Sequence, residues 1–233
     1  MAVAAGVVAL SESFRDMTSG TQVLDALENL FRSFGATHFL ATGFPLPGRP
    51  IEPLIVRINW GEMRSERPGA FFLKPDDPIL HHALGSRRPF TWLDPKDHAA
   101  QESPLLGSAH ELRIIAVPIC AFLPYQAVVF AGGPSLEIDT RSLLAIDHVC
   151  IEAFRRLLAL GVVRPDRPGD LSARERRVVQ LSASGKTANE IATILDISQR
   201  TVHAHLQNAS EKLGAHNKTH TVVEALRYGQ ISV

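Results

Sequence analysis

The stretch at residues 164–170, RPDRPGD, constrains the fold of this 233-residue chain more than any other feature of its sequence. It places two prolines, one glycine and four charged residues in seven positions. Proline removes a backbone donor and fixes φ, so neither a helix nor a strand tolerates such a composition. We therefore predict a linker at residues 163–170, between one domain at residues 1–162 and a second at residues 171–233.

The composition is that of an ordinary globular protein, with 45% hydrophobic and 21% charged residues. The 24 basic and 24 acidic residues cancel over the whole chain, but nine Lys and Arg face seven Asp and Glu from Pro165 onwards. This small basic excess has the sign that DNA binding predicts, and it is too weak to decide the function.

No apolar run reaches the roughly 18 residues that a membrane span requires. The apolar start of the chain lacks the basic region of a signal peptide, so we expect a cytoplasmic protein with no membrane partner. The cysteines, Cys120 and Cys150, lie at no metal-ligand spacing and are interpreted as small buried hydrophobic residues. No metal or cofactor is expected.

The N-terminal domain mixes helix and strand patterns. A helical period at residues 23–34 ends at Gly35, and a long helical pattern covers residues 139–160. A shorter helical pattern surrounds residues 80–84, and short apolar runs bounded by Pro and Gly predict strands at residues 37–44, 54–58, 114–119 and 127–131. Helices around consecutive strands indicate an α+β domain, an antiparallel sheet sandwiched by helices.

The C-terminal domain is predicted to contain four helices. Ser172 and Glu175 form the Ser-x-x-Glu pattern of a capping box at the start of the first helix, which ends at Ser184-Gly185. The second helix presents Ile191, Ala192, Ile194 and Leu195 as its apolar face, and a tight turn follows at residues 196–198. The third helix covers residues 199–213, and a fourth covers residues 219–228, with Val223 and Leu226 among its residues available for packing.

The third helix has two distinct faces. Its inward residues recur at spacings of four, three and four: Val202, Leu206, Ala209 and Leu213. Its outward residues are Arg200, His203, Ala204, Gln207, Asn208 and Glu211. Polar side chains on one helical face are what base edges in the major groove require. The same helical arrangement occurs in domains that bind only protein, so spacing alone leaves both functions open.

Residues 171–231 resemble the C-terminal domain of the LuxR family of transcription regulators. The matching motifs cover about sixty residues at consistent spacing: Leu171-Ser172-x-Arg174-Glu175, Gly185-Lys186-Thr187, Glu190-Ile191-Ala192, Leu195, Ile197-Ser198, Thr201-Val202, His205-Leu206, Lys212-Leu213-Gly214 and Asn217-Lys218-Thr219. The resemblance implies a homodimer on double-stranded DNA with a two-fold operator, and RNA polymerase is a further candidate partner.

Roles for individual residues follow from this resemblance. His203 and Gln207 are expected to reach bases, with Arg200 close by. Six others are assigned to phosphates, where they position the protein rather than specify sequence: Lys186, Thr187, Ser198, Thr201, Lys212 and Lys218. His205 is interpreted as structural or phosphate-side, and Glu175 as a cap and core residue.

The N-terminal domain does not show the acidic pair, phosphorylatable Asp and later Lys of a phosphoacceptor domain. It resembles instead the acyl-homoserine-lactone-binding domain of the quorum-sensing LuxR regulators. Three short motifs carry this resemblance: Asp77-Pro78-Ile79, Phe90-Thr91-Trp92 and Val117-Pro118-Ile119. The implied effector is a small molecule with one amide N–H, two carbonyl groups and an apolar tail or aryl group.

A buried pocket must satisfy each polar group of such a ligand. Asp77 is expected to accept the amide N–H, although Asp before Pro is equally typical of a helix cap. Trp92 is expected to form a wall under the lactone ring, and Trp60 to offer its indole N–H to the amide carbonyl. The candidate tail contacts are Phe39, Ile58, Phe71, Phe72 and Ile79.

The sequence departs from the family pattern at three places. A tryptophan and a tyrosine usually precede the Asp-Pro pair, and those positions hold Arg64 and Pro68. Ile114 lies nearest to a place where a glycine is expected. The pocket could therefore hold a different ligand, with Arg64 or Arg67 facing a polar group. Alternatively, the domain serves only dimerisation, and these arginines lie in a solvated loop.

Two hypotheses follow. The first is a dimeric, ligand-responsive transcription factor of quorum-sensing type. The second is an orphan LuxR-type regulator that needs no lactone. An enzyme is not expected, because His81-His82 adjoins no acidic or thiol partner at catalytic or metal-ligand spacing.

Overall fold

The computed structural model describes residues 2–45, 50–60, 73, 77–92, 113–122, 125–163 and 171–232. The chain divides into two compact units, with the division between residues 164 and 165. This division falls inside the predicted linker, of which residues 164–170 lie outside the described residues.

The N-terminal unit contains four helices and five strands within the described residues. They are α1 (Ala2–Ser13), α2 (Gly20–Ser33), β1 (His38–Gly43), β2 (Ile55–Asn59), α3 (Pro78–Gly85), β3 (Phe90–Trp92), β4 (Arg113–Phe122), β5 (Tyr125–Gly133) and α4 (Thr140–Ala159). The four predicted strands and three predicted helices are confirmed, with ends that shift by a few residues. The sequence analysis missed α1 and β3.

The five strands form one sheet in the order β2-β1-β5-β4-β3. The pairs β1–β2, β1–β5 and β3–β4 are antiparallel. β4 and β5 are separated by only two residues, a length that permits only an antiparallel hairpin. The predicted antiparallel sheet is therefore confirmed.

Helices cover both faces of this sheet. Successive side chains of a strand point to opposite faces, so Leu40 and Phe39 lie on different sides of β1. Leu40 belongs to a buried cluster that includes residues of α3, namely Ile79, Leu80 and Ala83. Phe39 packs against Phe31 of α2, with ring centroids 5.8 Å apart. The helical layer on the Phe39 side consists of α1, α2 and α4, which pack against one another.

A buried carboxylate joins α2 to the edge strand β2. Glu28 of α2 is 7% exposed, and its Oε1 accepts hydrogen bonds from Arg32 at 2.7 Å and from Asn59 Nδ2 at 2.6 Å. Arg57 donates to Asp25 at 2.7 Å beside it. Polar contacts at this edge hold β2 against the helical layer.

Gly35 ends the turn after α2, as predicted, because it has φ +92°. A Cβ at this position would lie 2.3 Å from the Ser135 carbonyl oxygen, so no larger residue fits. The buried interpretation is confirmed for Cys150, and burial raises the pKa of its thiol. Cys120 is half-buried.

The C-terminal unit contains four helices: α5 (Ala173–Ala183), α6 (Ala188–Leu195), α7 (Gln199–Lys212) and α8 (Lys218–Arg227). Ser172 and Glu175 form the predicted capping box at the start of α5. The structure corrects the predicted apolar faces at Ile194 of α6 and at Val223 and Leu226 of α8, which are exposed. Ile194 is 49% exposed, because it lies about 110° around α6 from the centre of the buried stripe that Ile191 and Ala192 define.

Candidate nucleic-acid interface and effector site

A three-residue turn sets the direction of α7 relative to α6. Asp196 ends α6 in the left-handed conformation, with φ 53° and ψ 51°. The Ile197 N–H then donates to the Ala192 carbonyl at 3.1 Å. Ser198 begins α7 as its N-cap, since its Oγ accepts from the Thr201 N–H at 3.0 Å. The predicted break between the two helices is confirmed, and it produces a helix-turn-helix.

The inward edge of α7 forms part of the core of this unit. Val202 packs in a buried cluster with Val178 of α5 and with Ile191 and Ala192 of α6. Ala209 and Leu213 are fully buried. Leu206 is half-buried and packs against the cluster. The predicted inward face is thus confirmed, and α5 and α6 fix the orientation of α7.

The opposite side of α7 is open to solvent. Every residue that the sequence assigned to the outward face is exposed: Arg200, His203, Ala204, Gln207, Asn208 and Glu211. A groove beside this face is lined by Arg200, His203 and Gln207 and by Lys218 and Asn217 at the start of α8. An exposed helix that borders a groove with basic side chains is suited to a polyanion with readable edges.

Two residues assigned to phosphates, Thr187 and Ser198, cap helices at this surface. Thr187 is the N-cap of α6, where it forms a capping box with Glu190. Ser198 caps α7, and its hydroxyl lies 2.8 Å from the Thr201 hydroxyl. The first N–H groups of a helix and its dipole favour an anion, so α6 and α7 each present a suitable end.

The lysines assigned to phosphates fall into different environments. Lys186 Nζ lies 3.9 Å from Glu190 in an exposed, weak pair. Lys218 Nζ donates to the Lys186 carbonyl at 3.1 Å, which joins α8 to the loop before α6. Lys212 Nζ donates to Glu175 at 2.7 Å, and its side chain is only 34% exposed. Lys212 is therefore occupied in an internal ion pair.

Glu175 has the cap and core role that the sequence predicts. Its backbone N–H and carboxylate complete the box with Ser172, and its side chain is 6% exposed. Burial alone would raise the pKa of Glu175, but the hydrogen bonds from Lys212 and Ser172 outweigh burial, and the pKa is lowered. His205 is half-buried between the two faces of α7, as expected.

In the N-terminal unit, one face of the sheet brings several candidate effector residues together. Trp60, Trp92 and Ile79 lie in a single buried cluster. Trp60 lies over Gly132, where an added Cβ would be 3.3 Å from its Cη2 atom, and its ring centroid is 5.3 Å from that of His38. The cluster also includes residues that the sequence analysis did not single out: Leu40, Phe44, Val128 and Phe130.

The missed residues share one face of the sheet because β1 and β5 pair in a fixed register. Leu40 pairs with Phe130, and Thr42 with Val128, across β1 and β5. Directly paired residues share a face, so locating one of them locates the other. The register itself, however, is a property of the folded sheet and is absent from any single strand.

Asp77 begins α3 and is almost fully buried, with 2% exposure. Its Oδ1 accepts from the Ile79 N–H at 3.0 Å, so the cap interpretation is confirmed. The other carboxylate oxygen, Oδ2, is also buried. A cap and a ligand acceptor are compatible roles, because a carboxylate has two oxygens.

The other candidate tail contacts are placed differently. Phe39 lies on the opposite face of the sheet with α2, so the structure does not bring it together with the tryptophans. Ile58 is on the Leu40 face but is 41% exposed on the edge strand. Phe71 and Phe72 lie outside the described residues, as do Arg64, Arg67 and Pro68. Ile114 is buried beside Trp92.

Neither a membrane span nor a metal cluster is found in the part of the chain that the structure describes. No described helix is long and apolar enough to cross a bilayer. Among the same residues, no three His, Cys, Asp or Glu side chains are grouped so that they could hold a metal ion.

Comparison with known proteins agrees with this geometry. Residues 170–225 match the model of bacterial regulatory proteins of the luxR family. The chain is 32% identical over 218 residues to the transcriptional activator protein BjaR1 of Bradyrhizobium diazoefficiens, covering 88% of this chain and 87% of that protein. It is 30% identical over 215 residues to the quorum sensing-dependent regulator RpaR of Rhodopseudomonas palustris, with coverage of 90% and 88%.

A solved structure shares the fold. SdiA in complex with octanoyl-rac-glycerol aligns with a TM-score of 0.53 and 24% identity over 96% of this chain and 94% of that chain. The fold and the exposed recognition helix define a helix-turn-helix DNA-binding regulator rather than an enzyme. The chain belongs to the LuxR family of bacterial transcriptional regulators.

Proposed function

We propose that this protein is a cytoplasmic, dimeric transcription factor that responds to an acyl homoserine lactone or a closely related acylated molecule. The proposal that the protein binds such an effector rests on the position of Asp77. Its buried carboxylate begins the helix whose Ile79 lies in one apolar cluster with Trp60 and Trp92. One oxygen of this carboxylate caps α3, and a carboxylate that borders an apolar cluster is also the kind of acceptor that a ligand's amide N–H requires.

The chemistry of the ligand matches these groups. The amide N–H of the lactone would donate to Asp77, and the Trp60 indole N–H would donate to the amide carbonyl. Trp92 would pack against the lactone ring, while Ile79 and Ile58 would contact the acyl tail. Phe39 is left out of this pocket because it lies on the other face of the sheet. That SdiA holds octanoyl-rac-glycerol supports a ligand with an acyl tail and a neutral polar head.

The proposed response is thermodynamic linkage. A ligand that binds the folded, DNA-competent form better than other forms shifts the population toward it. At a hundredfold excess over its Kd, such a ligand stabilises the protein by about 2.7 kcal/mol.

Two exposed apolar side chains of α8 support the proposed dimer. Val223 is 46% exposed and Leu226 is 39% exposed, and residues three apart lie on the same helical face. A second copy of this face would cover both side chains. Two units related by a two-fold axis would place their α7 helices in successive major grooves.

The effector proposal is tested by thermal stability. The full chain is melted with short-, medium- and long-chain N-acyl homoserine lactones, an aryl-substituted lactone and 1-octanoylglycerol. We expect at least one of them to raise Tm by several degrees. Asp77→Asn keeps an oxygen that can cap α3 but replaces one carboxylate oxygen with a donor, so we expect this variant to fold and to lose the shift.

The DNA proposal is tested on the same protein. Double-stranded DNA is selected from a random pool, and binding of His203→Ala and Gln207→Ala is measured on the selected sequence and on random DNA. We expect losses of tenfold or more that are confined to the selected sequence. Equal losses on both DNAs would contradict base reading. Asn208→Ala is the control, since Asn208 is exposed on the same helix at the border of the outward face.

The orphan hypothesis makes a different prediction. It expects no compound to raise Tm and expects the protein alone to bind the selected DNA as a dimer. That pair of results would replace the first proposal with the second.

A further inference from the structure

The outward face of α7 contains a ridge of three side chains. A helix turns by about 100° per residue, so Arg200, Gln207 and Glu211 fall within about 40° of one another. This ridge lies directly opposite the buried edge that Val202 and Ala209 define. These three side chains therefore project furthest from the domain.

A hydrogen bond links two members of the ridge. Gln207 Nε2 donates to Glu211 Oε1 at 2.9 Å, one helical turn away. A carboxylate can only accept, so the amide nitrogen of Gln207 must face it and the carbonyl oxygen must face away. Glu211 thereby opposes the half-rotation that exchanges the oxygen and nitrogen of a free glutamine amide.

The orientation has a consequence for base recognition. With one N–H used by Glu211, Gln207 still offers its carbonyl oxygen and a second N–H. An acceptor beside a donor complements adenine, which presents the N6 amino group and the N7 acceptor in the major groove. Guanine presents two acceptors, O6 and N7, and so offers no partner for the carbonyl oxygen.

The charge of Glu211 adds to this effect. Glu175 and Glu190 each belong to a capping box, and Glu224 lies 3.1 Å from Arg227. Glu211 is instead exposed on the ridge, where it accepts the hydrogen bond from Gln207. A carboxylate at this place repels phosphates and base acceptors, which lowers affinity for DNA in general. A charge that weakens general affinity can raise specificity when the preferred base avoids the repulsion.

We propose that Glu211 is a specificity-determining residue of the DNA interface. It orients the Gln207 amide to read adenine, and its charge rejects guanine at the same base pair. This inference rests on the proposed function, because it requires α7 to enter the major groove.

The experiment is selection of double-stranded DNA from a random pool by the full chain and its variants. The compound that raises Tm most is included, or none if no compound does. We expect the wild-type protein to enrich adenine at one position of each half-site, and Gln207→Ala to lose that preference. Glu211 is exposed, so its variants are expected to melt near the wild-type temperature, which is measured as a control.

Two variants of Glu211 separate its charge from its contact. Glu211→Gln removes the charge but keeps an acceptor oxygen, so we expect adenine and guanine to be accepted more equally and binding of random DNA to increase several-fold. Glu211→Asp keeps the charge but withdraws it by one methylene, so we expect a weaker preference for adenine. In Gln207→Ala/Glu211→Ala, guanine at that position should be accepted more readily than in Gln207→Ala alone, because the charge that repels its O6 and N7 acceptors is gone. Asn208→Ala should change nothing at that position.

Failure of the proposed DNA-reading function and failure of the proposed role of Glu211 give different results. If the wild-type protein enriches no sequence, the proposed DNA-reading function falls and this inference with it. If the wild-type protein enriches an operator, but the Glu211 variants enrich the same bases and bind random DNA equally well, the role of Glu211 is overturned and the proposed function stands.

Discussion

Lys212 Nζ lies 2.7 Å from Glu175 Oε2, so the last turn of the recognition helix is held by the first turn of α5. The same carboxylate oxygen accepts from the Ser172 backbone N–H at 2.7 Å. One buried side chain thus fixes both the start of α5 and the end of α7. The position of α7 depends on this ion pair as well as on apolar packing.

Breaking the pair should destabilise the C-terminal unit. We expect Glu175→Gln to lower the free energy of unfolding by about 2 kcal/mol, since it removes charge-assisted hydrogen bonds from a buried site. A urea titration of each single variant and of Glu175→Gln/Lys212→Met measures the coupling. A coupling energy near zero would show that the two residues act independently.

The same carboxylate predicts a loss of stability in acid. The pKa of Glu175 is lowered in the folded protein, so its contribution is complete above the ordinary value of 4.5 and disappears as the pH falls through the folded pKa. We expect the stability difference between wild type and Glu175→Gln to be constant near neutral pH and to shrink below about pH 4.5. A stability difference that stays constant below pH 4.5 would contradict a stabilising role for the ionised Glu175 carboxylate.

The turn before α7 predicts an effect of side-chain shape at position 196. Asp196 is the one residue other than glycine with positive φ among the described residues. Asp tolerates this conformation better than most residues, and a β-branched side chain does not. We expect Asp196→Ile to cost about 1–2 kcal/mol and Asp196→Gly to be neutral or stabilising. The control is Thr193→Ile, because Thr193 is exposed in the regular helix α6. The free energy of unfolding of each variant is measured by urea titration.

The two lysines of different environment should differ in the salt dependence of DNA binding. Lys186 is exposed beside the N-terminus of α6, so Lys186→Ala should weaken binding to all sequences and reduce the slope of log K against log salt by about 0.9. Lys212 is held by Glu175, so Lys212→Met should leave that slope unchanged. If Lys212→Met reduced the slope as much as Lys186→Ala does, Lys212 would be a phosphate contact after all.

Alanine substitutions at the adjacent glycines Gly132 and Gly133 of β5, near Trp60, are expected to destabilise the fold to different extents. A Cβ at Gly133 would lie 2.5 Å from the Gly35 carbonyl oxygen, whereas a Cβ at Gly132 would lie 3.3 Å from the Trp60 ring. We expect Gly133→Ala to destabilise the fold by more than Gly132→Ala, because backbone cannot yield as a side chain can. Gly132→Ala should instead change the tryptophan fluorescence, and a wild-type spectrum would argue against the close packing.

The helical unit was predicted well because its signals are local. Caps at Ser172 and Ser198, the stop at Gly185 and the inward spacing of α7 each depend on residues within a few turns. Ile194 was misplaced because an apolar side chain alone does not reveal which side of a short helix is buried. The pairing of Lys212 with Glu175 spans 37 residues, and no local pattern announces it.

The N-terminal unit was harder to predict. Phe39 and Leu40 are equally apolar neighbours, and only the side of the sheet decides which one faces the tryptophans. Both faces of β1 are buried, so alternation of polarity, which normally reveals the inner face, is missing. The short strand β3 was recognised only as a motif, because three residues carry no periodicity.

The hydrogen bond between Asn59 and Glu28 has a mechanical consequence. Asn59 immediately precedes Trp60, so the backbone of this tryptophan is tethered through a buried carboxylate to α2 on the far side of the sheet. Because Glu28 is buried and also holds Arg32, a displacement of the Trp60 backbone would strain the hydrogen bond between Asn59 and Glu28. The position of this tryptophan at the sheet edge is therefore coupled to that of α2.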